Sequence, residues 1–306
     1  MTDSIVVLKF GSSVLKSTAD LPTAVHEIYR WYRAGHAVLV VVSALDDATE
    51  QLLRLARSIA TEPNARATAE LLATGERQTA ALLAIAVDRA GLPARIVDPR
   101  EIQFTAVGAA DNSEPVAVDR VRLKGFFAEA PILIVPGFFA HDLSGRACLL
   151  GRGGSDLSAV FLAQAAGARS CRLLKDVDGV YDRDPAVASE CPPSRYETLS
   201  YNDALERAAP LIQPKATQFL QRFSAPVEIA SIGSPYASVV GSHFPRVTES
   251  QRAPPTSVLL LGCGTVGHGV YQRLIALPHH FHLVGVLVRD RAKYLEQGVP
   301  SKLLMT

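Results

Sequence analysis

Short apolar runs that end in glycine or small polar residues recur along the first part of the chain. The runs at 5–10 and 37–42 are nearly continuous, as expected for strands covered on both faces. Similar runs predict strands at 94–97, 132–135, 172–175 and 227–230. Apolar positions at helical spacing predict helices at 21–34, from about 49, from about 76 to 90, at 157–166 and at about 201–222.

This alternation predicts an α/β fold, in which a mainly parallel open sheet carries helices on both faces and so forms three layers. The predicted strands end in polar or glycine-bearing loops at 11–13, 43–44, 137–138 and 176–179. Ligands bind at the carboxyl ends of the strands in such sheets. We therefore expect these loops to form one cleft.

Residues 245–256 differ from the chain before them. They are polar, rich in proline and without periodicity, which is typical of a linker. We therefore place a first domain at 1–244 and a second unit at 257–306. That unit begins with an apolar run at 257–261, followed by a glycine-rich turn, a helical pattern and a second apolar run at 283–288.

The turn of the second unit has GxGxxG spacing, which predicts a dinucleotide-binding site in a Rossmann βαβ unit. The residues expected to contact the cofactor are Gly262, Gly264, Thr265, Val266, Gly267 and Arg289. Arg289 stands where an acidic residue would select NAD, so NADP is favoured. One strand–helix–strand unit is about a quarter of a nucleotide-binding domain. We therefore expect truncation at Thr306 and no dehydrogenase activity from this fragment.

Composition narrows the function classes. The 306 residues are 48% hydrophobic and 20% charged, as expected for a globular protein with a substantial core. The net charge of +1, without a basic stripe, argues against nucleic acid as a partner. No run is long enough for a membrane span and no signal peptide is evident, so a cytoplasmic protein is expected. The four cysteines (Cys148, Cys171, Cys191 and Cys263) lack ligand spacing, so we expect reduced thiols and no metal site.

Two stretches of the first domain carry candidate chemistry. Lys9 precedes Gly11-Ser12-Ser13 at the end of a predicted strand, a usual place for phosphate contacts. The stretch 150–156 places three glycines before a predicted helix, whose N-terminus would attract an anion. Within it, Arg152 suits a carboxylate or phosphate. Ser155 and Asp156 are also suited to capping the helix.

Six motifs, in order, resemble those of aspartate kinases of the amino-acid kinase family. They are Lys9-Phe10-Gly11-Ser12-Ser13, Val41-Val42-Ser43-Ala44 with Thr49, Gly75-Glu76-Arg77, Gly137-Phe138, Leu150-Gly151-Arg152-Gly153-Gly154-Ser155-Asp156 and Asp176-Val177-Asp178-Gly179-Val180-Tyr181. The turn at 264–267, with Gly269-Val270, resembles the beginning of a homoserine dehydrogenase. The resemblance thus indicates a bifunctional enzyme whose dehydrogenase part is truncated.

The resemblance implies the amino-acid-kinase fold and transfer of the ATP γ-phosphate, with Mg²⁺, to the side-chain carboxylate of L-aspartate. The product, 4-phospho-L-aspartate, begins the synthesis of lysine, threonine and methionine. A longer protein would also be an NADPH-dependent homoserine dehydrogenase, and a homodimer is expected. The implied site residues are Lys9 and Asp156 for catalysis; Ser43, Thr49, Glu76, Phe138, Arg152 and Ser155 for aspartate; and Gly11, Ser12, Ser13, Lys175, Asp176 and Tyr181 for ATP.

In this scheme Lys9 holds the moving phosphoryl group and Arg152 holds the substrate α-carboxylate. Glu76 and Asp156 receive the α-ammonium, and Asp156 is also a candidate to hold the lysine or magnesium in place.

Departures from the family pattern lie mainly on the nucleotide side. Lys175, Ala186 and Pro210 stand where threonine or serine, arginine and lysine are usual, so two cationic contacts to ATP are missing. Lys175, Arg183 or Lys215 are candidates to replace the charge. The expected regulatory ACT-type domains are absent before the linker, so feedback inhibition through them is not expected.

Two alternatives stay open. The nucleotide-side departures would suit a kinase-like binding domain without productive ATP binding. Glutamate 5-kinase shares the opening at 9–15, whereas Gly75-Glu76 and 151–156 favour aspartate.

Overall fold

The structure is a computed structural model that describes residues 4–185, 193–209, 211–242, 245–248, 256–277 and 281–306. Backbone contacts separate two units, Met1–Thr248 and Glu249–Thr306. Within the described ranges, no helix combines the length and the apolar character needed to cross a membrane.

The strands described in the first unit form two sheets. They are β1 (Ile5–Phe10), β2 (Ala37–Val42), β3 (Ala94–Ile96), β4 (Thr105–Ala109), β5 (Asn112–Ala117), β6 (Ile132–Pro136), β7 (Phe139–His141), β8 (Ala147–Leu149), β9 (Ser170–Lys175), β10 (Arg195–Ser200), β11 (Val227–Ser231), β12 (Ser238–Gly241) and β13 (Arg246–Thr248).

The α-helices described in the same unit lie mostly between these strands. They are α1 (Leu21–Arg33), α2 (Ala48–Ile59), α3 (Ala65–Arg89), α4 (Arg120–Phe126), α5 (Gly154–Ala166), α6 (Tyr201–Arg207) and α7 (Pro214–Phe223).

The larger sheet is mainly parallel, in the order β13-β10-β12-β11-β9-β1-β2-β6-β3. Among the described strands, its antiparallel pairs are β10 with β13 and β11 with β12. In the centre, Lys9 of β1 lies between Val41 of β2 and Leu173 of β9. The predicted mainly parallel α/β sheet is therefore confirmed.

Alternate residues of the central strands point to opposite sides of this sheet, and helices cover the apolar residues on both faces. Val7 of β1 lies in the core beside α5, whereas Val6 and Leu8 lie in the core beside α1 and α3. Both cores are apolar, which explains why β1 and β2 show continuous apolar runs. Every residue of α5 except Gln164 is buried.

Three predicted boundaries were wrong. Helix α3 begins at Ala65, where the Asn64 side chain caps it, so Glu76 lies in the middle of a helix and not at its beginning. The helix predicted over 201–222 is two helices, and Pro214 begins the second. Residues 246–248 form a strand that pairs with β10, although they were assigned to the linker. Residues 249–255 of that linker lie outside the described residues, as do Ala186, Cys191 and Pro210.

The smaller sheet, ordered β5-β4-β7-β8, was not predicted. Its strands are short, and β5 includes Pro115, so neither alternation nor an apolar run marks it. The backbone N–H of Leu149 donates to Ala110 O at 2.8 Å and joins β8 to the β4–β5 hairpin. This sheet brings residues 112–114 beside the glycine-rich stretch that follows β8.

The second unit consists of β14 (Thr256–Leu261), α8 (Thr265–Ile275), β15 (Phe281–Leu287), α9 (Arg291–Glu296) and β16 (Leu304–Met305). Its strands are parallel, in the order β14-β15-β16. One face packs a small core that includes Tyr271, Val286 and Val299.

Candidate active site

A cavity of about 240 Å³ lies where the carboxyl ends of β1, β2 and β6 meet the beginning of α5. The residues that line it are Lys9, Ser12, Ser43, Ala44, Asp46, Thr49, Glu76, Phe138, Gly153, Gly154, Ser155, Asp156 and Gln213. The fold thus brings together the two predicted catalytic residues and most of the predicted aspartate-binding residues. The loops at 11–13, 43–44 and 137–138 contribute to one cleft, as the parallel sheet requires.

Asp156 links two lysines at the inner end of this cavity. Its Oδ1 lies 2.7 Å from Nζ of Lys9, and its Oδ2 lies 3.1 Å from Nζ of Lys175. The side chains of Lys9 and Asp156 are almost completely buried, and that of Lys175 is 11% exposed. The carboxylate therefore fixes two cations that come from neighbouring strands, β1 and β9.

Burial and charge act against each other at these groups. Burial alone would raise the pKa of Asp156, but the ammonium groups of Lys9 and Lys175 hold that pKa below its usual value. Burial lowers the pKa of Lys9, and Asp156 offsets only part of this effect. The site therefore contains a firmly ionised carboxylate beside a desolvated lysine.

Glu76 reaches the cavity from the middle of α3 and is 2% exposed. Its Oε1 accepts a hydrogen bond from the Ala44 backbone N–H at 3.2 Å, whereas its buried Oε2 has no partner among the described residues. Burial raises the pKa of Glu76 to about 7. A carboxyl group in this state is suited to receive a cationic ligand group, which would restore its ionised form.

The glycine-rich stretch shapes one wall of the cavity. Gly153, at φ +75°, is the residue from which α5 begins, and a Cβ added there would lie 2.3 Å from Cβ of Gln213. Ser155 and Asp156 follow inside the first turn and do not cap the helix. The capping alternative was therefore wrong, because Asp156 instead faces the two lysines.

Phe138 lines the cavity and has an unusual backbone conformation, with φ +69°. Its backbone N–H donates to Oγ of Ser158 at 3.1 Å, and the Ser158 hydroxyl donates to Gly154 O at 2.9 Å. Ser158 thereby couples the loop after β6 to the first turn of α5. A left-handed conformation at a bulky residue is costly and is kept only where surrounding contacts impose it.

Lys215 holds the glycine-rich stretch from the other side. Its Nζ donates to Leu150 O, Ser113 O and Asn112 Oδ1, each at 2.8 Å, and lies 3.0 Å from Oε1 of Glu114. These four oxygen atoms use the hydrogen-bonding capacity of the Lys215 ammonium group. Arg183, another of the three candidates, pairs with Asp182 at 3.4 Å. Of the three proposed replacements for missing charge, Lys175 is the one that joins the Lys9–Asp156 pair.

Several predicted site residues do not line the cavity. Arg152 and Asp176 are exposed, whereas Gly11 is buried beside Lys9 and Ser13 is half-buried. The hydroxyl of Tyr181 donates to Oδ1 of Asp178 at 2.6 Å.

Two cavity residues, Asp46 and Gln213, were missed by the sequence analysis. Asp46 follows the predicted second loop, and an acidic residue there was a usable signal. Gln213 lies just before α7, far along the chain, and no local pattern marks it. Its place depends on the packing of α7 against α5.

The turn of the second unit lies between β14 and α8. Gly262 has φ +86°, and a Cβ added at Gly267 would lie 2.4 Å from Gly262 O. Thr265 and Val266 begin α8, and Arg289 is exposed just after β15. Among the described residues, no group of three or more His, Cys, Asp or Glu side chains is arranged to bind a metal ion.

Comparison with known proteins matches residues 4–231 to the amino acid kinase family. An aspartokinase of Geobacillus stearothermophilus is 32% identical over 230 residues, which cover 74% of this chain and 56% of that protein. An aspartokinase of Corynebacterium glutamicum is 34% identical over 232 residues, which cover 74% of this chain and 55% of that protein. The chain thus spans about half the length of the curated relatives it matches.

Solved structures show the same fold. Aspartate kinase from Synechocystis aligns with a TM-score of 0.66 at 25% identity, covering 83% of this chain and 43% of that one. Escherichia coli aspartokinase III, solved in complex with aspartate and ADP, aligns with a TM-score of 0.64 at 23% identity. The alignment covers 78% of this chain and 64% of that one.

Proposed function

The chain belongs to the amino acid kinase family, and within that family we propose that it is an aspartate kinase. The observation that carries this proposal is the buried Lys9–Asp156 pair at the inner end of a polar cavity that also contains Glu76. The aspartokinase relatives support it, as does the complex of the E. coli enzyme with aspartate and ADP.

The proposed reaction joins the side-chain carboxylate of L-aspartate to the γ-phosphorus of MgATP. A carboxylate oxygen forms the new P–O bond while the bond between the γ-phosphorus and the β–γ bridging oxygen breaks, releasing MgADP. No base is needed, because the attacking carboxylate is already ionised at neutral pH. The protein mainly positions two anions and stabilises the charge that they bring together.

We assign the stabilisation of that charge to Lys9. Its ammonium group is desolvated and is held by Asp156, so its interaction with phosphoryl oxygens is stronger than in water. The backbone N–H groups of the 11–13 turn add donors for the same oxygens. The phosphoryl group would therefore lie between β1 and the first turn of α5.

Glu76 and Arg152 are proposed to recognise the amino-acid end of aspartate. The unpartnered Oε2 of Glu76 faces a cavity large enough for a small amino acid and would accept the α-ammonium. Arg152 is exposed at the rim and would turn inward to bind the α-carboxylate with its planar guanidinium group. Ser43, Thr49 and Ser155 would complete the pocket with their hydroxyl groups.

Asp176 and Tyr181 are proposed to contact the nucleotide. Both follow β9, whose end lies beside β1, so they approach the phosphoryl group from outside the cavity. Magnesium would enter as part of the substrate MgATP, since Asp156 is already occupied by two lysines.

The test is whether the 306-residue chain releases ADP in the presence of aspartate. A coupled assay measures the ADP, and hydroxylamine traps the acyl phosphate product. We expect turnover with L-aspartate and far less with L-glutamate, which would distinguish a glutamate 5-kinase. Lys9→Met should abolish turnover, whereas Lys16→Met, at an exposed position, should not. A folded chain that binds MgATP tightly but turns over neither acceptor would overturn the proposal.

For the second unit, we propose the beginning of a homoserine dehydrogenase domain that binds NADP. Gly267 supports this, because a side chain there would collide with Gly262 O, so the close packing of this turn requires glycine at the last position of the GxGxxG spacing. The backbone N–H groups at 264–267 would bind the pyrophosphate and Arg289 the 2′-phosphate. The 306-residue chain should bind NADPH in preference to NADH, and Arg289→Ala should remove that preference. Equal binding of the two nucleotides would contradict the NADP assignment. A cytoplasmic homodimer stays a prediction.

A further inference from the structure

Lys175 is a cation to which the proposed roles of Lys9, Glu76 and Arg152 leave no part in the reaction. It ends β9 next to β1, and its Nζ contacts Oδ2 of Asp156 while Lys9 contacts Oδ1 of the same carboxylate. One carboxylate thus faces two ammonium groups. The group of three side chains keeps a net positive charge in a largely buried position, which favours the arrival of an anion.

The Lys175 ammonium has hydrogen-bonding capacity left for that anion. A lysine has three N–H donors, and Asp156 is the partner that the described part of the chain provides for Lys175. This contrasts with Lys215, whose Nζ already has four oxygen neighbours. Lys175 is therefore held in place by one contact and has donors free for a ligand.

The location of Lys175 indicates from which side the anion comes. Lys9 and Asp156 line the 240 Å³ cavity, whereas Lys175 does not. Lys175 instead precedes the 176–181 segment and is 11% exposed. An anion that reaches both lysines must therefore lie at the boundary between the cavity and the β9 end of the sheet.

We propose that Lys175 is a second catalytic cation, which contacts the γ-phosphoryl group of ATP from the nucleotide side while Lys9 contacts it from the acceptor side. The inference rests on the proposed kinase function. In phosphoryl transfer the negative charge spreads over the three equatorial oxygens, so two cations held at a fixed spacing stabilise it better than one. Asp156 acts as the positioning residue for both.

The competing explanation is that Lys175 only neutralises Asp156. In that case its removal would disturb the Lys9–Asp156 pair but would not distinguish a nucleoside triphosphate from a diphosphate. The γ-phosphoryl group is the difference between ATP and ADP. Comparison of the two nucleotides therefore separates a contact to that group from a structural role.

The experiment measures binding of MgATP and MgADP by calorimetry to wild type, Lys175→Met and Lys175→Arg, with Lys16→Met as the control for loss of a lysine at the surface. We expect Lys175→Met to weaken MgATP about tenfold or more and MgADP less than about threefold, because a charge-assisted contact is lost with the γ-phosphoryl group alone. Lys175→Arg should retain most of the MgATP affinity. In the aspartate assay, kcat of Lys175→Met should fall about a hundredfold with little change in KM for aspartate.

Equal weakening of MgATP and MgADP, or no weakening of either, would overturn the proposal. Melting temperatures establish that each variant is folded, and Lys175→Gln provides the same comparison if the methionine variant is not. Absence of aspartate turnover in wild type would count against the proposed kinase function alone. The difference between the two nucleotides would still decide the role of Lys175.

Discussion

Nζ of Lys9 lies 2.7 Å from Oδ1 of Asp156, so a buried ion pair joins the end of the central strand β1 to the first turn of α5. The two residues are far apart in the chain and belong to two different motifs. Their contact makes the phosphoryl-binding side of the site and the acceptor pocket one structural unit.

Asp156→Asn should destabilise the protein, because it leaves two largely buried ammonium groups without their anion. We expect a loss of about 3 kcal/mol in the free energy of unfolding, measured by urea denaturation at pH 7. The control is Asp47→Asn, which removes an exposed ion pair with Arg54 and should cost less than about 1 kcal/mol. Equal losses for the two variants would show that the buried pair contributes no special stability.

Glu76 predicts a pH dependence of stability. Burial raises its pKa from 4.5 to about 7, so between these values the folded protein keeps a proton that the unfolded chain releases. The free energy of unfolding should therefore fall through this pH range and level off above it. Glu76→Gln should remove this loss, gaining on the order of 3 kcal/mol over wild type at pH 8 but almost nothing at pH 4.

Urea denaturation of both proteins at several pH values measures this difference. Glu50→Gln, at an exposed position on α2, is the matched control and should show a difference that does not change with pH. A constant difference for Glu76→Gln as well would mean that the pKa of Glu76 is not raised in the folded protein.

Arg152→Ala should weaken the binding of aspartate without changing the free energy of unfolding. The side chain is exposed, so the free energy of unfolding should change by less than about 0.5 kcal/mol. If Arg152 binds the α-carboxylate, KM for aspartate should rise about tenfold to a hundredfold, since one charge-assisted interaction is lost. Arg57→Ala, another exposed arginine, should leave KM unchanged. An unaltered KM in Arg152→Ala would exclude that contact.

Gly153→Ala should perturb both the fold and the site. The φ of +75° disfavours alanine by about 1–2 kcal/mol, and the new Cβ would also collide with Gln213. Gly91→Ala is a close control, because Gly91 has φ +72° but nothing within 4 Å of the added Cβ. We expect Gly153→Ala to lose about 1–3 kcal/mol more than Gly91→Ala in thermal or urea unfolding, and to lower kcat/KM for aspartate. Equal losses would mean that Gln213 moves away freely.

Much of the central sheet could be predicted from local pattern. The apolar runs of β1 and β2 are unbroken because both faces of these strands are covered by helices. The β4–β5 hairpin and the two-residue strand β16 were not predictable in this way, because they are too short or too polar for a periodic signal. The beginning of α3 is not marked by Gly75, because this glycine lies inside the helix, although glycine is more typical of a helix boundary.

The site residues likewise fall into those that a local motif predicts and those that only the packing of the fold brings together. Lys9, Glu76 and Asp156 were identified because each stands in a recognisable motif. Gln213 was not, because its approach to Gly153 depends on how α7 packs against α5. Lys175 was noted in the sequence only as a departure from a family pattern, and its pairing with Asp156 could not be inferred from spacing.

Local pattern in the amino-acid sequence predicts the succession of strands and helices along the chain, the polar loops at the strand ends and the residue types available for chemistry. These properties depend on local periodicity and on neighbouring residues. In contrast, the folded chain is needed to show that Lys9 and Lys175 share one carboxylate, and that Glu76 is buried in the middle of a helix with an oxygen that has no partner among the described residues. Distances, burial and pKa values depend on which strands lie side by side, and strand order is set by packing across the whole sheet.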